Sequence, residues 1–123
     1  MRVVIANAFS LSMLPSSPTE VTLRVVEISE EQVRQLLLSS RFESAIGHEA
    51  TATFLSKKLS IDIPANRVKV TLDKDTALIV MQLLQRLPEG KVLTEEEIAQ
   101  IPVKFFLVLL LDEKYYKARR EWH

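Results

Sequence analysis

The sequence predicts an α/β fold: a single-domain mixed β-sheet of about five strands, the usual sheet size, with helices packed on it. Two observations carry this. Short β-branched or alternating runs are separated by segments with helical spacing and capping-box starts, the pattern of helices layered on a sheet. With 123 residues and 47% apolar side chains, residues 1–123 have room for one domain with one core.

Val3-Val4-Ile5-Ala6 is a β-branched run that stops at Asn7, as a buried first strand feeding a loop does. Pro15 and Pro18 frame a polar turn, and Val21-Thr22-Leu23-Arg24-Val25 then alternates with period two, predicting a second strand with one wet face. Ser29 and Gln32 have capping-box spacing, and Val33, Leu36 and Leu37 follow at helical intervals up to Ser39 and Ser40. A second helix is predicted from Gly47 to Leu59, with Ala50, Phe54, Leu55 and Leu59 on one stripe and Lys57 and Lys58 near its end, where cations favour the dipole. That places His48 in a helical first turn.

Ile63-Pro64-Ala65-Asn66 breaks the chain, after which Arg67 to Leu72 alternates again. Asp73-Lys74-Asp75 turns it into Ala77 to Leu84, which has no polar face until Gln82 and suits a central strand buried on both sides, so the pair reads as a hairpin. Thr94 with Glu97 opens a brief helix that Pro102 ends, and Phe105 to Leu111 is the last strand. Residues 112–123 form a charged tail without a strong period.

Composition removes several functions. Sixteen basic and sixteen acidic residues cancel, so the broad positive field of a general nucleic-acid or anionic-membrane binder is missing, and a phosphate ligand needs a local cluster. With no cysteine, disulfides, thiolate metal sites and cysteine nucleophiles are excluded, and nothing argues for an oxidising compartment. The N-terminal apolar run lacks the layout of a signal peptide, and Phe105 to Leu111 is too short to span a bilayer as a helix; a cytoplasmic protein without a membrane partner is expected. One internal histidine and the absence of His-x-x-x-His or Asp-x-Asp patterns give no metal site, and two glycines cannot form a Walker or dinucleotide loop, so no cofactor is expected.

The two glycines, Gly47 and Gly90, stand beside ionisable residues: Gly47 precedes His48, and Gly90 closes Arg86-Leu87-Pro88-Glu89-Gly90-Lys91. A lone histidine is more often an ordinary surface or core residue than a catalyst. At a helix start, however, free N–H groups and the positive dipole end favour a phosphate, and imidazole exchanges protons near neutral pH. The Arg86 to Lys91 stretch reads in isolation as a solvated turn; alternatively Glu89 supports proton transfer and Arg86 clamps a phosphate bidentately. Ser10 and Ser12 lie in the first loop, where hydroxyls contact a ligand or simply make turn bonds; no glycine-flanked elbow or triad spacing makes Ser10 a hydrolase nucleophile. Phe105 and Phe106 read as core, and the Lys57-Lys58 pair as a solvated face.

Four blocks carry a resemblance: Asn7-Ala8-Phe9-Ser10-Leu11-Ser12-Met13-Leu14, Ala45-Ile46-Gly47-His48, Asn66-Arg67-Val68, and Gln85-Arg86-Leu87-Pro88-Glu89-Gly90-Lys91-Val92-Leu93. In this order they resemble the viral ring nuclease family, the type III anti-CRISPR family of archaeal viruses with relatives in phages and mobile elements. The resemblance implies a homodimer that binds cyclic tetra-adenylate and cuts it, without metal, to linear di-adenylate bearing a 2',3'-cyclic phosphate. It implies His48 as general acid with Glu89 in support. Asn7, Ser10, Ser12, Gly47, Arg67 and Arg86 match positions that contact ligand or shape the pocket. Ser12, Glu49-Ala50 and Pro88 depart from the family pattern, and the segment after Ile101 matches least. A four-nucleotide ring presents the same groups to two subunits about a two-fold axis, in keeping with a homodimer. Two other classes remain open on the sequence: a sponge that sequesters the ring without cutting it, and a small DNA-binding homodimer, which the balanced charge disfavours.

Overall fold

The computed structural model describes residues 1–16, 20–88, 90 and 92–114. Five strands form one mixed sheet: β1 (Arg2–Ala6), β2 (Glu20–Ile28), β3 (Phe42–Ala45), β4 (Thr76–Leu83) and β5 (Val103–Lys114), in the order β2-β5-β4-β1-β3. β1 lies between β3 and β4 and runs parallel to both, while β5 is antiparallel to β4 and β2. Three helices join them: α1 (Glu30–Leu38), α2 (Glu49–Leu59) and α3 (Glu95–Gln100), with a 3-10 turn at Leu11–Met13. Among the described residues no helix is long and apolar enough to cross a membrane.

Burial explains why β1 and β4 are continuous apolar runs. Val3 to Ala6 and Thr76 to Met81 are all buried, since side chains on both faces of a central strand are covered. One face receives the helices: Val33 and Leu37 of α1, Phe54, Leu55 and Leu59 of α2, and Ile98 of α3 pack on Val3, Ile5, Ile79, Met81 and Phe105. On the other face Val4, Ala6, Leu78, Val80 and Val108 are covered by Val70 and Leu72, with Phe9 and Met13 partly buried beside them.

Both capping boxes form. Ser29 Oγ accepts from Gln32 N–H at 3.1 Å and Gln32 Oε1 accepts from Ser29 N–H at 2.8 Å; Thr94 and Glu97 repeat the pattern at 3.2 and 3.1 Å. Ser29→Ala is expected to cost about 1 kcal/mol, measurable as a lower urea midpoint with an unchanged slope.

Several expectations are corrected, and one element had none. Residues 67–72 are not a strand and form no hairpin with β4, because both edges of β4 are taken, by β1 and β5. The alternation is real but serves another purpose: Val70 and Leu72 turn inward onto the second sheet face, and Leu72 N–H donates to the Met13 carbonyl at 2.7 Å. β3 has no sequence signal, since Phe-Glu-Ser-Ala lacks an apolar run; parallel pairing with β1 forms it, Val3 opposite Phe42 through Ala6 opposite Ala45. Lys58 is not a solvated charge. Only 12% of its side chain is exposed, and Nζ lies 3.4 and 3.3 Å from the carbonyls of Ile98 and Ile101 and 3.7 Å from Glu30, joining the start of α1 and the end of α3 to α2. The predicted second and last strands were also too short: β2 begins at Glu20 and runs to Ile28, and β5 extends from Val103 to Lys114. The charged tail from 115 onward lies outside the described residues.

Candidate functional site

Three parallel strands end at one edge of the sheet, and the chain leaving each contributes to the site. β1 runs out into Asn7 and Phe9, β3 into Ile46-Gly47-His48, and β4 into the Leu84 to Leu93 loop. In open α/β sheets ligands bind at these carboxyl ends. Leu87 and Leu93 pack against the helix-side core, which holds the loop that carries Arg86.

The sequence predicts His48 within the first turn of α2; it is instead the N-cap, one residue before the helix begins at Glu49, with extended backbone at φ −125° and ψ 132°. Its carbonyl accepts from Ala52 N–H at 3.0 Å, so the main chain is committed to the helix. The imidazole makes no capping hydrogen bond and is exposed. A histidine that does not cap leaves the N–H groups of the first turn open to an anion.

His48 and Arg86 line the same cleft, of about 1030 Å³, together with Thr51, Leu83, Gln85 and Gly90. Arg67, in the segment after α2, does not line this cleft but lies near its His48 side: its Nε is 3.8 Å from where a Cβ on Gly47, the residue before His48, would stand. Among the described residues neither Arg67 nor Arg86 is in an ion pair, so neither charge is already committed to a described carboxylate. Two arginines, an imidazole and a helix N-terminus suit a phosphodiester. Among the described residues no group of three His, Cys, Asp or Glu side chains is arranged to hold a metal.

A second groove, of about 620 Å³, adjoins this cleft and shares Thr51 and Leu83 with it. Asn7 lines it with Phe9, Val25, Gln82 and Phe106. Ser10 and Ser12 line neither cavity; their hydroxyls bond each other at 2.9 Å, and Ser10 Oγ accepts from Ser12 N–H at 3.2 Å to cap the 3-10 turn. Glu89 lies outside the described residues, as does Lys91.

The glycines differ. Gly90 has φ +66°, the left-handed region, so Gly90→Ala is expected to cost about 1–2 kcal/mol through backbone strain alone, seen as a lower melting temperature. Gly47 is not in that region, and a methyl there would meet Arg67 at ordinary contact distance, so neither backbone strain nor crowding demands glycine at this position.

Some cavity residues carried little sequence signal. Gln82 could have been found as the polar residue that ends the apolar run of β4. Phe106, expected in the core, is only partly buried and lines the groove, because period two in β5 sends Phe105 inward and Phe106 to the other face. Thr51 has no signal of its own; it reaches both cavities because it follows His48 by three residues on α2.

The model of the STIV B116-like family matches residues 3–105. The chain belongs to that family. Uncharacterized protein 26 of Sulfolobus islandicus filamentous virus is 38% identical over 104 residues, covering 84% of this chain and 86% of that protein. Uncharacterized protein YddF of Bacillus subtilis is 34% identical over 107 residues, 85% of this chain and 97% of that one. Among solved structures, B116 of Sulfolobus turreted icosahedral virus superposes with a TM-score of 0.75 at 29% identity, covering 89% of this chain and 99% of B116. His48, Arg67 and Arg86 all fall within the matched region of this B116-like chain, and relatives occur in archaeal viruses and in a bacterium.

Proposed function

We propose that this B116-like protein is a metal-independent ring nuclease that binds cyclic tetra-adenylate as a homodimer and cuts it to linear di-adenylate, switching off the effectors of type III CRISPR defence. The observation that carries this is the meeting of His48 and Arg86 in one cleft at the start of α2, with Arg67 laid over Gly47. The sequence resemblance supplies the ligand.

The chemistry asks little of the protein. The ribose 2'-hydroxyl of the ring attacks the neighbouring phosphorus, the P–O5' bond breaks, and a 2',3'-cyclic phosphate forms. The proton of the 2'-hydroxyl passes to solvent or to a base, and the leaving 5'-oxygen takes a proton from the His48 imidazolium. Arg86 and Arg67, with the α2 N–H groups, balance the charge that builds on the phosphoryl oxygens. The sequence resemblance implies a supporting role for Glu89. Two such cuts across a two-fold axis give two di-adenylates, one per His48 of a dimer.

Incubating purified protein with the ring and following products by chromatography tests the proposal: di-adenylate should accumulate over many turnovers. A ring that stays intact through prolonged incubation overturns catalysis, and tight binding without turnover leaves the sponge.

A further inference from the structure

Arg67 reaches Gly47 although no regular strand carries it, and a small set of hydrogen bonds explains how. β3 is the edge strand of the sheet, so the carbonyls on its outer side need partners from elsewhere. Asn66 satisfies two of them. Its backbone N–H donates to the Ile46 carbonyl at 2.7 Å, and its side-chain Nδ2 donates to the Ser44 carbonyl at 2.8 Å. These carbonyls are two residues apart and therefore face the same way along a strand. Ser44, only 5% exposed, locks the arrangement from the β3 side: its Oγ donates to the Pro64 carbonyl at 2.6 Å and accepts from Ile46 N–H at 3.3 Å.

Asn66 and Ser44 thus close a loop of bonds around the two segments that carry the site. Ile46 is held through both its N–H and its carbonyl immediately before Gly47-His48. Arg67 follows Asn66 directly. We propose that Asn66 and Ser44 form a latch that sets Arg67 over Gly47 and fixes the strand end from which His48 projects, making Asn66 a positioning residue of the cleft. Its consequence for catalysis rests on the ring-nuclease reading; the latch itself does not.

Asparagine suits the task because one residue supplies a backbone and a side-chain donor, and the amide nitrogen takes the place of a neighbouring strand's N–H. Preorganisation of this kind matters because loosely held binding groups lose both affinity and rate.

The test uses the full chain. In wild-type protein the Arg67 Nε–H should be ordered by nitrogen-15 relaxation, and in Asn66→Ala it should become mobile. Affinity for cyclic tetra-adenylate is then measured in the His48→Ala background, where turnover does not interfere. Asn66→Ala and Arg67→Ala should each weaken binding by about tenfold, within the range that shared hydrogen-bond networks show, and the double variant should be no weaker than Arg67→Ala alone. Equal Arg67 mobility in wild type and Asn66→Ala, additive losses, or a lower melting temperature with Arg67 order unchanged would each overturn the latch. Asn66→Ser, which like alanine keeps the backbone donor and loses the reach to Ser44 but retains a polar side chain, replaces Asn66→Ala if the latter does not fold. A loosened Arg67 in a protein that never binds the ring would uphold the latch and defeat the ring-nuclease proposal.

Discussion

His48→Ala is expected to lower turnover of cyclic tetra-adenylate by ~10²–10⁴-fold, the span of general acid–base catalysis, while leaving stability and ring affinity close to wild type. The reason is local. The imidazole makes no capping hydrogen bond, so its removal takes nothing from α2, and the backbone bond from Ala52 N–H to the residue 48 carbonyl remains. In the proposed binding mode Arg86, Arg67 and the free N–H groups of the helix would still hold the phosphate, so binding is expected to survive. A melting curve and a titration of uncut ring against the variant separate the two roles. If turnover falls only in step with affinity, His48 is a binding residue and the acid lies elsewhere. Partial recovery of rate with added imidazole would assign the lost function to proton donation.

The second large effect is on stability. Ile79→Ala is expected to destabilise the fold by about 2–5 kcal/mol, a large part of the ~5–15 kcal/mol that holds a domain of this kind together. Ile79 is fully buried in the middle of β4, opposite Ile5 of β1 on one side and Leu107 of β5 on the other, and belongs to the core beneath the helices. Shortening it leaves a cavity under elements that also shape the cleft. Urea unfolding at fixed protein concentration measures the loss; Val25→Ala, on a residue 57% exposed, is the control and should shift stability by no more than about 0.5 kcal/mol. Equal effects from the two would mean that the core is not where burial places it.

What the sequence revealed and what it hid follow from one distinction. Signals that act within a few residues were legible: the capping boxes at Ser29 and Thr94, the buried run of β4 and the mixed sheet itself. Signals set by partners distant in the chain were not. Period two in Arg67 to Leu72 shows only that alternate side chains turn inward; whether the backbone joins a ladder depends on a free strand edge, and β1 and β5 leave β4 none. β3 exists because β1 offers an edge, not because Phe-Glu-Ser-Ala favours a strand. The same holds at the site. His48 at a helix start was legible from spacing, and its meeting with Arg86 depends on β3 and β4 ending at the same edge of the sheet. At Ser10 and Ser12 two readings were open, ligand contact or turn bonds; the structure shows the turn bonds, with the hydroxyls bonded to each other and Ser10 Oγ accepting from Ser12 N–H. Arg67 came from the resemblance alone, and its proximity to Gly47 emerges only once Asn66 is seen bound to β3.

The most direct measurement is cleavage of cyclic tetra-adenylate in water enriched in oxygen-18, with a chelator present, read by mass spectrometry of early products. Internal attack by the 2'-hydroxyl predicts di-adenylate carrying a 2',3'-cyclic phosphate and no heavy oxygen. Heavy oxygen in the first product would show that water is the nucleophile, and an intact ring would show that the cleft does not cut; either result contradicts the proposed chemistry of His48 and Arg86.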